Sequence, residues 1–181
     1  METRQLIVDD DILLKEVEMQ DAEVIFNTIV DERSYMDEWL PFVEITQDLS
    51  FTRKYIESYL DSDKVDLTCI ILYKQQFAGI IGLKDTDFDN KKTEIGYWLS
   101  ESFQHKGIVT RSGKTLLNYI FNEIELNRVQ LKAATENIKS QAVAERLGFT
   151  LEGIERDGEL HSRGFVDLMV FGLLKKDWIL C

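Results

Sequence analysis

A strand, a turn with a glycine and a long helix follow one another between residues 95 and 124, and this order constrains the fold more than any other stretch. Residues 95–99 form an apolar run that predicts a strand. Between the two elements, Gly107 has basic residues on both sides. Because backbone N–H groups and the positive end of the helix dipole meet at such a turn, we expect it to bind an anion such as a diphosphate. The residues at helical spacing are Gly113, Leu116, Leu117, Ile120, Phe121 and Ile124, and the basic neighbours are His105, Lys106, Arg111 and Lys114.

The same stretch ends in Gly-Lys-Thr, as a loop that binds nucleoside triphosphates would. That motif has four residues between its glycines, whereas five residues separate Gly107 from Gly113. In a helix, Gly113 would lie on the packed face and Lys114 in solvent. Both points argue against a triphosphatase, which stays the alternative enzyme class for this stretch.

The composition favours one soluble domain that covers residues 1–181. Hydrophobic residues make up 44% of the chain, and Pro41 is its one proline. No apolar run approaches the roughly 18 residues that a membrane helix needs. The net charge of -12 disfavours direct binding to nucleic acid or to a membrane surface, and it favours a cationic substrate or partner. From the two cysteines, Cys69 and Cys181, we expect free thiols, no metal site and a cytoplasmic location.

Hydrophobic periodicity and turn residues predict an α+β fold, with helices over a central sheet, in the order β, α, α, β, β, β, α, β, α, β, β. The predicted helices begin near Asp21, at Asp48 or Ser50, after Gly107 and at Ser140, and we expect Pro41 and residues 61–63 to stop the first two. The aromatic segment 35–42 is either a wall of a substrate site or ordinary core. The predicted strands are residues 6–8, 12–14, 65–73, 77–83 and beyond, 93–99, 129–133, 149–154 and 165–174.

The pattern Gln104-x-x-Gly107-x-Val109 between a strand and a helix resembles the signature of the Gcn5-related N-acetyltransferases, Gln/Arg-x-x-Gly-x-Gly/Ala, with Val109 as a departure. Three further segments match in order: residues 94–99 resemble the strand before the loop, residues 137–149 the helix and Gly-Phe segment, and residues 173–178 the closing strand. The resemblance is to the branch that acetylates the N-termini of ribosomal proteins, in particular the ribosomal-protein serine acetyltransferases.

This resemblance implies a mostly antiparallel, splayed sheet of about seven strands flanked by four helices, with acetyl-CoA in the gap and no metal. It also implies an amine acceptor, a ternary complex with direct attack, and a possible homodimer. Backbone groups of the turn would hold the pyrophosphate of acetyl-CoA. Backbone groups near Trp98 would bind the pantetheine chain and stabilise the oxyanion. The residues implied in donor binding are Trp98, Leu99, Ser100, Gln104, His105, Lys106, Gly107, Ile108, Val109, Thr110, Asn137, Ser140 and Arg146.

The resemblance leaves the general base open between Glu94, at the position of the base in the wider superfamily, and Glu159, at the position used by the ribosomal-protein branch. Ala144 stands where many members have a tyrosine that protonates the leaving thiolate. Ser140 matches the serine of the ribosomal-protein branch, although Asn137 or Ser140 could simply cap a helix.

A neutral amine is needed for attack, and an α-amino group titrates near about 8 whereas a lysine amine titrates near about 10.4. An N-terminal amine is therefore the expected acceptor, since it asks less of the base. A polyamine or an aminoglycoside is the alternative acceptor, and an acyl-CoA-binding regulator without turnover is the alternative from another class.

Overall fold

Eight strands form one sheet in the computed structural model, which describes residues 3–60 and 66–178. Each pair of neighbouring strands is antiparallel except β5 and β6, which are parallel. Short polar joins allow antiparallel hairpins, whereas the parallel pair is connected through a helix. The strands lie side by side in the order β1-β2-β3-β4-β5-β6-β8-β7. Their bounds are β1 Gln5–Ile7, β2 Ile12–Glu16, β3 Thr68–Tyr73, β4 Gln76–Asp87, β5 Lys92–Leu99, β6 Arg128–Ala134, β7 Thr150–His161 and β8 Gly164–Leu174.

Seven helices accompany the sheet in the described residues, and three of them have only four residues. A π-helical turn, Tyr119–Glu123, continues α5. The helices are α1 Ala22–Asp31, α2 Arg33–Met36, α3 Phe42–Ile45, α4 Leu49–Leu60, α5 Ile108–Asn118, α6 Ile138–Arg146 and α7 Lys175–Trp178.

Helices cover both faces of the sheet, which confirms the predicted α+β class. On one face, Leu116 of α5 and Val143 of α6 share a buried cluster with Ile81 of β4. On the other face, Ile25 of α1 and Ile56 of α4 belong to a second buried cluster. The apolar residues at helical spacing in α5 thus do what their period indicates, and the sheet has a distinct surface on each side.

The parallel pair β5 and β6 is the place where the sheet opens. The two strands pair only where Lys92–Ile95 lies beside Arg128–Leu131. Beyond these residues, β5 continues to Leu99 with β4 and β6 continues to Ala134 with β8. The two strands therefore separate, and the backbone of the last part of β5 faces the gap.

Several predicted boundaries differ from the structure. β7 extends to His161 instead of ending at residue 154, because a register shift between Glu155 and Glu159 absorbs the turn-like residues between them. The predicted closing strand 173–178 is wrong for its last four residues, since β8 ends at Leu174 and α7 follows. Pro41, predicted only to stop a helix, is the N-cap of α3. The predicted helix end at 61–63 and Cys181 lie outside the described residues.

Within residues 3–60 and 66–178, no helix is both long enough and apolar enough to cross a membrane. In the same part of the chain, no group of three or more His, Cys, Asp or Glu side chains could hold a metal ion.

Candidate active site

A cleft of about 1460 Å³ runs along the gap between β5 and β6 and reaches both faces of the sheet. At one end it meets the turn before α5, and at the other it meets aromatic side chains of the segment that contains α2, α3 and α4. A cleft of this volume has room for one extended ligand and a second, smaller group. Its aromatic residues include Tyr35, Trp39, Phe42, Phe51 and Tyr55.

The turn before α5 has the geometry of an anion site. Gly107 is the N-cap of α5 with φ 67° and ψ 13°, and His105 also has a positive φ of 61°. The first turn of a helix leaves its N–H groups without intrahelical partners. The Gln104 N–H, in contrast, donates to the Glu101 carbonyl at 3.1 Å. The prediction that backbone N–H groups from residue 104 to residue 110 hold the diphosphate is therefore wrong for Gln104, whose N–H group is already used inside the loop.

The two basic side chains predicted to contact phosphate, Lys106 and Arg146, have different partners. The Lys106 ammonium donates to the Ser102 carbonyl at 2.6 Å and lies 5.1 Å from the Phe103 ring centroid, so it folds back on its own loop. Arg146, at the end of α6, donates to the Thr110 hydroxyl at 3.4 Å. Of the two predicted basic contacts, Arg146 is thus the one that reaches across to the start of α5.

Gln104 connects three parts of the cleft. Its amide nitrogen donates to the Tyr35 hydroxyl, and its amide oxygen accepts from the Lys139 ammonium at 2.9 Å. Tyr35 belongs to α2 and Lys139 to α6, so the loop is tied to helices on both faces of the sheet. Gln104, the first residue of the signature, therefore fixes the position of the loop relative to both helices.

The pairing of β5 with β4 contradicts part of the predicted acetyl-CoA site. The Ser100 N–H donates to the Ala78 carbonyl at 2.8 Å, so the backbone of Ser100 is used by the sheet. Successive residues of a strand direct their backbone groups to opposite sides. Trp98 consequently also faces β4, and the backbone groups of Tyr97 and Leu99 face the gap. Of the three residues predicted to offer backbone groups, only Leu99 is placed to do so.

Ser140 lies at the start of α6 and meets a side chain that the sequence did not single out. Its N–H donates to the Asn137 side-chain oxygen at 3.0 Å, so Asn137 caps the helix. The Ser140 hydroxyl is 2.8 Å from the Tyr97 hydroxyl. Both side chains line the cleft. Burial raises the pKa of Tyr97 to about 12, although its hydrogen bond with Ser140 opposes this shift.

Glu159 lines the cleft from β7 and has one fixed and one open side. Its Oε2 atom lies 2.7 Å from Nε2 of His161, whose side chain is 2% exposed, while the Glu159 side chain is 38% exposed. Within the described residues, the buried Nδ1 of His161 has no hydrogen-bond partner. His161 therefore orients Glu159 from beneath, and the carboxylate remains accessible from the cleft.

Glu94 also lines the cleft, but lysines hold its carboxylate. Oε1 of Glu94 is 2.7 Å from the Lys84 ammonium, and Oε2 is 3.9 Å from the Lys132 ammonium. The Glu94 side chain is 11% exposed. Two ammonium groups therefore compete with a substrate for this carboxylate, which is also much less exposed than that of Glu159.

Tyr97 and Lys139 are among the residues of the cleft that the sequence did not single out. Tyr97 stood inside a run read only as a strand, and nothing local distinguishes a strand tyrosine that reaches a helix 43 residues away. Tyr35 fell within the aromatic segment predicted as a possible wall, which gave a partial signal.

The family model described as an acetyltransferase (GNAT) domain matches residues 11–150 of this chain. A protein of Bacillus subtilis (strain 168) named as a ribosomal N-acetyltransferase, YdaF, is 37% identical over 174 residues, which cover 94% of this chain and 95% of that protein. The ribosomal-protein-serine acetyltransferase of Escherichia coli (strain K12) is 26% identical over 171 residues, covering 93% of this chain and 96% of that one. Both similarities span nearly the whole length of each protein.

A solved structure is similar over the same extent. The microcin C7 self-immunity acetyltransferase MccE, in complex with acetyl-CoA and AMP, superposes with a TM-score of 0.87 at 28% identity, covering 92% of this chain and 94% of that one.

Proposed function

We propose that this chain, which belongs to the Gcn5-related N-acetyltransferase (GNAT) family, transfers the acetyl group of acetyl-CoA to the α-amino group at the N-terminus of a protein. As a GNAT member it is an acetyl-CoA-dependent N-acetyltransferase. The choice of an N-terminal acceptor is the proposal, and the names of its two relatives in B. subtilis and E. coli support it. The homodimer and the single domain stay predictions.

The residues of the cleft fit acetyl-CoA, which is the donor of the acetyl group. The start of α5 offers N–H groups to a diphosphate, and Arg146 lies beside that turn. The gap beside Leu99 is suited to an extended amide chain that adds to the edge of β5. A Cβ built on Gly107 would meet nothing within 4 Å in the described part of the chain, so the backbone is open to close approach by a ligand.

Gly107→Ala should therefore weaken donor binding more than it weakens the fold. A left-handed residue with a side chain costs about 1 kcal/mol in the free protein. In the complex, the new methyl group would also occupy space beside the diphosphate. We expect the Kd for acetyl-CoA, measured by calorimetry, to rise by more than about tenfold. Gly164→Ala is the control, because Gly164 also has a positive φ, 113°, and an open Cβ position, but it is the first residue of β8 and does not line the cleft. Equal losses of affinity in both variants would contradict a diphosphate at Gly107.

For the chemistry, we assign the general base to Glu159, because its carboxylate is accessible from the cleft whereas that of Glu94 is paired with Lys84. The backbone N–H of Leu99 is the candidate donor to the carbonyl oxygen of the acetyl group, on which negative charge develops. The Ser140 hydroxyl is the candidate partner of the leaving thiolate sulfur.

The accessible carboxylate of Glu159 is the observation that best supports an N-terminal amine as the acceptor. A carboxylate is a weak base, and an α-amino group, with a pKa near about 8, needs less help than a lysine amine near about 10.4. The aromatic end of the cleft offers contacts to the first side chains of a peptide. The net charge of -12 favours any cationic acceptor, so it supports both a peptide N-terminus and a polyamine.

The decisive experiment is thiol release from acetyl-CoA with matched acceptors. We expect turnover with a peptide that has a free N-terminal serine or alanine and no lysine. The same peptide with a blocked N-terminus and one internal lysine should react at least about 100-fold more slowly. Faster turnover of spermidine or an aminoglycoside would overturn the N-terminal acceptor and leave the acetyl transfer intact. Binding of acetyl-CoA with no turnover of any amine would favour the regulator.

A further inference from the structure

Tyr97 is a partly buried tyrosine of the cleft that the proposed chemistry does not use. Its side chain packs against the cluster beneath α5 and α6, and its hydroxyl lies 2.8 Å from Oγ of Ser140. The Ser140 carbonyl, at 3.5 Å, is a much poorer partner for the same hydroxyl. The pair therefore joins strand β5 to helix α6 at the point where the gap in the sheet begins.

Ser140 is held in place from two directions. Asn137 accepts the Ser140 N–H at 3.0 Å and fixes the backbone, and Tyr97 contacts the hydroxyl. A serine hydroxyl has one hydrogen and two acceptor lone pairs. If the phenol donates to Oγ, the hydrogen of Ser140 remains available for a group in the cleft. If the serine donates to the phenol, that hydrogen is used.

The chemistry of the two hydroxyls, which lie 2.8 Å apart, favours the first arrangement, because a phenol is a stronger hydrogen-bond donor and a weaker acceptor than an aliphatic alcohol. Burial raises the pKa of Tyr97 to about 12, so the phenol stays protonated at neutral pH and keeps its hydrogen for donation. A phenol with a raised pKa is a poor source of a transferred proton, so Tyr97 can hold a hydrogen bond without giving up its proton. Hydrogen bonds in a chain also polarise one another, so donation from Tyr97 strengthens the next donation by Ser140.

We propose that Tyr97 is a positioning residue for Ser140: the Tyr97 phenol donates to Ser140 Oγ and directs the serine hydrogen toward the sulfur of the leaving thiolate. The inference rests on the proposed acetyl transfer and holds for any amine acceptor. In that step, the amine nitrogen forms a bond to the acetyl carbon, and the C–S bond breaks with its electron pair passing to sulfur. Glu159 receives the proton of the amine. The Ser140 proton stays on its oxygen and hydrogen-bonds to the thiolate.

Tyr97→Phe tests the proposal because it removes the hydroxyl and keeps the ring. We expect kcat to fall by about 5- to 10-fold, with the KM for acetyl-CoA within about twofold. Ser140→Ala should lower kcat by about 10- to 100-fold, since it removes the hydrogen bond to a charged group. If Tyr97 acts through Ser140, the double variant should be no slower than Ser140→Ala alone. Multiplication of the two losses would overturn the proposal.

Tyr119→Phe is the matched control, because Tyr119 belongs to the same apolar cluster as Tyr97, is 7% exposed and does not line the cleft. It should keep the wild-type kcat. A loss equal to that of Tyr97→Phe would assign the effect to the packing of buried tyrosines and would contradict a positioning role.

A second measurement needs no acceptor and separates this proposal from the proposed function. The thiol of bound CoA can be titrated by the ultraviolet absorbance of its thiolate. Ser140→Ala and Tyr97→Phe should each raise the pKa of that thiol, by about one unit for the loss of a hydrogen bond to the thiolate. An unchanged thiol pKa in Tyr97→Phe overturns the proposal, whichever amine the enzyme acetylates. Failure of every acceptor in the turnover assay would instead overturn the proposed function.

Discussion

Glu159→Gln is expected to lower kcat by about 10²- to 10³-fold while the Kd for acetyl-CoA stays within about twofold. The change removes the basic lone pair and keeps the size and the hydrogen bond to His161, which accepts or donates through Nε2 at 2.7 Å. The loss should shrink as the pH rises past about 8, because an α-amino group then loses its proton to water without a base. A pH series of thiol-release rates, with the wild type measured in parallel, tests both statements.

Glu94→Gln is the control for this prediction. Glu94 lines the same cleft, but its Oε1 atom lies 2.7 Å from Lys84, and a glutamine oxygen can still accept a hydrogen bond from that ammonium. We expect its kcat to fall by less than about fivefold. If Glu94→Gln abolishes turnover while Glu159→Gln and Ser140→Ala retain it, the base is Glu94 and the assignment made above is wrong.

The features that could be predicted from the sequence depend on residues close together in the chain. A glycine at the start of a helix, with φ 67° at Gly107, follows from the turn between a strand and an amphipathic helix. The cap of α6 by Asn137 depends on a contact three residues away. The strand boundaries in the middle of the sheet agree for a similar reason, since alternation and polar joins are local signals.

Contacts between elements were less accessible from the sequence. Whether the backbone of Trp98 or of Leu99 faces the gap depends on which side of β5 the strand β4 lies, and the residues of β5 alone do not show this. The ion pair between Glu94 and Lys84 depends on the register between β5 and β4. β7 was predicted too short because residues 156–158 look like a turn, whereas the structure accommodates them in a bulge before Glu159.

Gly79→Ala is expected to damage both the fold and the acetyl-CoA site, because there is no room for a Cβ between β4 and β5 at this position. A Cβ on Gly79 would lie 2.2 Å from the Trp98 carbonyl oxygen and 2.9 Å from the Leu99 Cα atom. Both neighbours are backbone atoms of β5, so no side chain can move aside. We expect the free energy of unfolding, measured by urea titration, to fall by about 2–3 kcal/mol.

A loss of affinity for acetyl-CoA should accompany the loss of stability, because the added Cβ would push β5 away from β4 and into the gap. Leu99, whose backbone faces that gap, would move with it, and we expect the Kd for acetyl-CoA to rise by about tenfold or more at a temperature where the variant is folded. Gly153→Ala is the matched control, since Gly153 also lies in a strand and its added Cβ would meet nothing within 4 Å in the described part of the chain. That variant should match the wild type in both measurements. A Gly79→Ala protein with reduced stability but unchanged affinity would mean that β5 yields elsewhere, and it would contradict donor binding along the edge at Leu99.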